Sequence, residues 1–140
     1  MPRLPLPVSD VRVHVRMNIG ACGPYALLVA DFEPPGPGGG LELLNAVPRA
    51  RLPAEYLPAV REGLLEGLGT VAAAVLLTDG GHHEVDSCDL GFRIAGRQAG
   101  RAALVASGLL PPREADALRW VMWPGRSRPR HRPRGASRAR

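Results

Sequence analysis

Hydrophobic and polar residues alternate strictly from Val11 to Met17 (VRVHVRM), the period-two pattern of a half-buried strand. Asn18–Pro24 (NIGACGP) carries the glycines of a tight loop, and Tyr25–Phe32 (YALLVADF) predicts a second strand, so residues 11–32 read as a hairpin. Glu33–Gly40 (EPPGPGGG) predicts a surface loop. Leu41–Val47 suits a short third strand. From Leu52 to Leu68 the apolar residues Leu57, Val60, Leu64 and Leu68 fall at helical spacing, with Pro53 and Pro58 near the start, where a helix tolerates them. Val71–Leu77 is continuously apolar, as expected of a central strand covered on both faces. Thr78–Val85 (TDGGHHEV) predicts a loop.

A second helix is expected from Cys88 to Ser107, capped by Asp86 or Ser87, with Asp89 favourably placed in its first turn. Its expected buried stripe is Leu90, Ile94, Ala95, Ala99, Ala102 and Val105 or Ala106. Gly96 and Gly100 each weaken such a helix by ~1 kcal/mol relative to alanine, a cost that makes sense where another backbone packs close. Ala117–Trp123 predicts a last strand, ended by Pro124. These elements describe an α+β domain with about four strands and two helices.

Charge separates the chain into two parts. All 18 basic residues are arginine, and seven lie in residues 126–140, where there is no acid; the remaining eleven face all thirteen carboxylates. The body is therefore mildly acidic and the tail strongly basic. We divide the chain into an N-terminal extension (1–10), one domain (11–125) and an Arg-rich tail (126–140). The tail has no apolar periodicity and is expected to be disordered.

Several functions drop out. No apolar run approaches the ~20 residues of a membrane helix, and prolines interrupt the first ten residues where a signal peptide is apolar. Two cysteines make no disulfide framework, so a cytoplasmic location is expected. Neither GxxxxGK[ST] nor GxGxxG occurs, so no nucleotide is expected. No paired-carboxylate or Ser-His-Asp arrangement stands out; neither catalysis nor a cofactor is expected.

Two segments taken together resemble domain IV of translation elongation factor G. Leu52–Leu64 (LPAEYLPAVREGL) matches the family's pattern at Pro53, Glu55, Tyr56, Pro58, Ala59, Val60 and Gly63. Asp79–Leu104 resembles its Asp-Gly-x-x-His-x-Val-Asp-Ser-Ser loop and the helix that follows, at Asp79, Gly80, His83, Val85, Asp86, Ser87, Phe92, Ile94 and Ala95. GPYALLVADFEP resembles the second strand, and order and spacing agree over residues 11–110. The resemblance implies a split β-α-β sandwich, a ribosomal-protein-like sheet with two helices on one face. It also implies a two-loop tip that enters the decoding region of the small ribosomal subunit. The first tip loop would be Asn18–Pro24, and His83 would be the histidine that contacts the transfer RNA and messenger RNA region. The departures are Cys88 for the second serine, Gly91 for the alanine before the phenylalanine, and a connection before the fourth strand shortened to Gly69-Thr70. The first tip loop carries no positive charge, and GTP-driven translocation is not expected of these residues.

The candidate RNA-binding residues are His83, His82 and Asn18 at the tip and Arg126, Arg128, Arg130, Arg132 and Arg134 in the tail. A loop imidazole stacks on bases and hydrogen-bonds to them or to phosphates, whereas spaced arginines neutralise phosphates without sequence preference. Arg93, Arg97 and Arg101 share one helix face and either meet phosphates or form a solvated surface. Cys22, His82, His83 and Cys88 would surround a zinc ion if both loops met at one tip, although no CxxC or HxxxH pair is present. The expected partner is the ribosome or another structured RNA. The competing readings are a protein-interaction module, in which Trp120 or Trp123 is exposed, and a remnant of a translation factor.

Overall fold

The alternating segment becomes β1 (Val8–Arg16), whose Val11, Val13 and Val15 point into the core while Arg12 and Arg16 stay outside. In this computed structural model, residues 2–17, 24–83 and 87–123 are described. β1 pairs antiparallel with β2 (Tyr25–Glu33), which pairs antiparallel with β4 (Ala73–Gly81). β3 (Leu41–Asn45) lies parallel to β4, and β5 (Val121–Met122) closes the other edge against β1. Among the described residues the sheet has five strands in the order β3-β4-β2-β1-β5, the fifth only two residues long. Between β3 and β4 runs helix α1 (Leu57–Leu68), and between β4 and β5 runs α2 (Asp89–Ala106).

Four elements differ from the sequence reading. β4 continues through Thr78-Asp79-Gly80-Gly81, which pairs with Leu27, Leu28 and Val29 of β2 across a bulge. The two glycines suggested a loop, but strand pairing at a sheet centre overrides weak strand propensity. α1 starts only at Leu57, after a 3-10 turn over Ala54–Tyr56. Residue 88, not Ser87, occupies the N-cap of α2 and makes no side-chain cap bond. The segment expected to form the last strand from Ala117 instead contributes the end of a 3-10 turn (Pro112–Ala117) and then β5. Residues 2–10 are woven into the fold: Leu4 is 1% exposed, and its N–H bonds the Ala72 carbonyl at 2.9 Å.

The core lies between the sheet and the helices. Alternate residues of β2 (Ala26, Leu28, Ala30, Phe32) and of β4 (Ala73, Val75, Leu77) meet Val60, Leu64 and Leu68 of α1 and Phe92, Ala95, Ala99 and Ala102 of α2. α2 shares contacts with β1 and β2 and packs tightly along α1. Leu90, expected in its buried stripe, is exposed; of the alternatives Val105 and Ala106, Val105 is half-buried against the core and Ala106 is exposed, and the small residues Gly91, Gly96, Gly100 and Ala103 join the buried face.

Glycines set the distance between the helices. A Cβ on Gly63 would lie 2.1 Å from the Arg93 carbonyl oxygen, and one on Gly67 would lie 2.2 Å from that of Arg97. From the other side, a Cβ on Gly96 would lie 2.5 Å from the Val60 carbonyl oxygen. Backbone therefore rests on backbone along two turns, which accounts for the glycines the helical pattern tolerated. Above this seam Arg93 bridges to Glu62 at 3.4 Å and to Glu66. After Leu68 the chain turns at Gly69, whose φ of 62° suits glycine, and enters β4 almost at once.

Candidate functional site

Both tip loops leave the same end of the sheet. Met17 donates its N–H to the Pro24 carbonyl at 2.9 Å, closing β1 and β2 around residues 18–23. Gly81, the last residue of β4, pairs with Leu27 two residues into the adjacent strand. The stems of the 18–24 and 82–87 loops are thereby held side by side. Asn18, Cys22 and Asp86 lie outside the described residues.

Consecutive extended residues send their side chains to opposite faces, and His82 and His83 divide accordingly. His83 is exposed and stacks on Tyr25, with ring centroids 3.9 Å apart and planes 7° from parallel. His14 meets the same tyrosine edge-on at 5.1 Å. Both Tyr25 and His14 stand on the sheet face away from the helices. Burial, with Arg16 and His83 adding positive charge nearby, holds the His14 imidazole below its ordinary pKa of 6.5. Among the described residues His14 Nε2 is covered and has no hydrogen-bond partner, which favours the neutral ring.

His82 turns to the helical side, where its Nδ1 donates to the Arg51 carbonyl at 3.2 Å and its ring stands 6.5 Å from Tyr56. Arg51 in turn grips Asp79 through Nε at 2.7 Å and Nη2 at 3.4 Å. Asp79 also accepts the Gly80 N–H at 2.8 Å, and these bonds, the Arg51 bond foremost, hold its carboxyl below the usual range.

Ser87 is the clasp of the second loop. Its Oγ accepts the His83 N–H at 2.8 Å and donates to the Tyr25 carbonyl at 2.8 Å, while its own N–H reaches the His83 carbonyl at 3.0 Å. The Tyr56 hydroxyl donates to the Ser87 carbonyl at 3.3 Å, and its ring stacks on Phe92 at 4.6 Å. Tyr56, Ser87 and Phe92, all carriers of the sequence resemblance, thus build the support beneath His83, while Asp79, another carrier, holds Arg51 beside His82. Sequence reasoning missed Tyr25 and His14; the available signal was their shared strand parity beside the first loop.

The other candidates are placed differently. Arg93 is engaged by Glu62 and Glu66, and Arg101 by Glu114 at 3.4 Å. Trp120 and Trp123 are half-buried against the core, and the Arg119 guanidinium sits 4.5 Å above the Trp120 ring. Among the described residues no group of three or more His, Cys, Asp or Glu side chains is arranged to hold a metal, and His82 and His83 diverge. Arg126, Arg128, Arg130, Arg132 and Arg134 lie outside the described residues. No helix of the described residues is long and apolar enough to cross a membrane.

A two-layer α+β domain that presents paired loops at one end of its sheet is the class these features define. The family description of elongation factor G, domain IV, matches residues 6–108, and the chain belongs to that family. Among solved structures it is similar to a protein from Thermus thermophilus, with a TM-score of 0.59 and 23% identity. That match covers 69% of this chain and only 16% of the Thermus protein, and it supports the shared fold.

Proposed function

We propose that this domain IV protein is a non-catalytic cytoplasmic factor that binds the ribosome or another structured RNA through its loop tip, assisted by its basic tail. The observation that carries the reading is His83, an exposed imidazole stacked on Tyr25 at the paired-loop end of a domain IV fold. A pre-stacked aromatic pair offers a flat π surface to an unpaired base at little ordering cost. The tail supplies non-specific phosphate affinity and speeds encounter. Asn18 would contribute from the first loop.

Ribosome co-sedimentation across a salt series tests this, with the whole chain, His83→Ala and a chain ending at Gly125. All buried core residues among those described fall between Leu4 and Val121, so the shortened chain keeps that core. We expect the whole chain to lose affinity steeply with salt and the shortened chain to show a flatter slope. His83→Ala should weaken binding at every salt concentration. Binding that is indifferent to salt and to His83 overturns the reading. Partners recovered unchanged after nuclease treatment would instead favour a protein-interaction module, the alternative that the acidic body and uncharged NIGACGP loop support.

A further inference from the structure

The sheet face opposite the helices has no covering layer among the described elements, and half of it is acidic and apolar. At its β2-β4-β3 end a shallow groove of about 300 Å³ is lined by Asp31, Glu33, Glu42, Leu44, Ala74 and Leu76. The register orders them in two rows. Glu33 and Glu42 flank Ala74, and Asp31 and Leu44 flank Leu76. Leu44 is 69% exposed and Leu76 38%. Glu33 and Glu42, two strand spacings apart, stand about 10 Å from each other over the small Ala74 side chain. Arg12, Arg51, Arg93 and Arg101 are each engaged by other acids, and Arg3 donates to the Pro35 carbonyl. No ion pair among the described residues uses Asp31, Glu33 or Glu42.

We propose that the chain's own arginine-rich tail docks in this groove, with one arginine seated over Ala74 between Glu33 and Glu42. Charge complementarity is the first support: the tail carries seven arginines and no acid, the groove three acids with no cation. Spacing is the second. Arg126, Arg128, Arg130, Arg132 and Arg134 alternate, so an extended chain presents all five on one side, about 6–7 Å apart. Asp31 and Glu33 have that same period along β2. Reach is the third. The described chain ends at Trp123 beside β5, roughly 20–25 Å from the groove by strand spacing and rise. Residues 124–134 span up to about 36 Å when extended. Pro129 and Pro133 lack the N–H needed to extend a β-ladder, so the tail meets the face through its side chains and does not add an edge strand. The aliphatic stems of the arginines would cover Leu44 and Leu76.

This seat is independent of RNA, and its test uses none. Tryptic cleavage after Arg126, Arg130 and Arg134 is followed by mass spectrometry in the whole chain, in Glu33→Gln/Glu42→Gln and in Ala74→Arg, with a synthetic peptide of the tail sequence as the unprotected reference. Thermal melts of both variants check that the body remains folded. We expect the whole chain at low salt to be cleaved about 5- to 10-fold more slowly than the peptide, as several cooperating exposed ion pairs would give. Both variants and 0.5 M salt should restore the peptide rate. Equal rates for whole chain and peptide, or protection unchanged in both variants, overturn the proposal. Protection that grows with protein concentration also overturns it, because the occupant is then a second copy's tail.

Discussion

Replacing Gly63 by alanine sets two opposite effects against each other at a known distance. In an isolated helix the change stabilises by about 1 kcal/mol. Here the new Cβ would lie 2.1 Å from the Arg93 carbonyl oxygen and 2.9 Å from the Arg97 nitrogen, both backbone atoms that cannot rotate aside. Ordinary contact requires ~3.4 Å, so α1 and α2 must part by about 1 Å, and overpacking of that kind costs about 1–3 kcal/mol or more. Parting also loosens the seam at Gly67, Gly96 and Gly100, so the upper end of that range applies. The expected net loss is about 2 kcal/mol, which lowers the melting temperature by about 5 °C or more for a chain of this size. Circular dichroism melts and urea titrations read it directly, with Gly38→Ala as the control. Gly38 has open space around its Cβ position, and its substitution should leave stability unchanged or slightly raised. A Gly63→Ala protein as stable as the native chain would refute the backbone-on-backbone account of the helix pair.

Three further outcomes follow from the tip and from the edge of the sheet. Ser87→Ala removes the acceptor of the His83 N–H and the donor to the Tyr25 carbonyl, and should cost about 1–2 kcal/mol, seen as faster amide exchange at His83 than at Phe92. Because burial lowers the folded-state pKa of His14, the unfolded chain binds more protons below pH 6.5; stability should be level above pH 7 and fall as pH drops through 6.5. His14→Gln should remove that component of the slope, and an unchanged slope in urea titrations would reject it. Gln98 is 7% exposed and its Oε1 accepts the Trp120 N–H at 3.0 Å. Gln98→Leu should therefore cost about 1–3 kcal/mol and shift tryptophan emission to the red as β5 loosens.

Much of the fold was legible because its elements bury one face each. The valine alternation of β1 needed no tertiary information, and Gly96 and Gly100 already implied a close neighbour. β4 was read too short because Asp79, Gly80 and Gly81 carry turn chemistry, and only the facing residues of β2 make them a strand. Ser87 resembled a helix cap because serine favours that position. Its hydroxyl is instead used across the sheet end on Tyr25, a pairing 62 residues apart that no local pattern announces. The arginine stripe of α2 was visible, but the acidic partners of Arg93 and Arg101 are on α1 and near residue 114. Glu62 and Glu66, one turn apart on the preceding helix, were the sign that Arg93 would be neutralised.

The strand order also governs when, during synthesis, the chain can become a fold. β1 and β2 form a local hairpin, but two strands alone are marginal in water. Their lasting partner, β4, joins β2 at Glu33 and Ala74, after β3 and α1 have been made. The apolar face that results is covered by α2, which ends at Ala106. Commitment therefore comes late: chains arrested before about residue 106 leave the sheet bare and prone to association, whereas loss of the two-residue β5 removes little. Proteolysis of arrested nascent chains should show protection arising abruptly once α2 is complete, and gradual protection from residue 33 onward would contradict it.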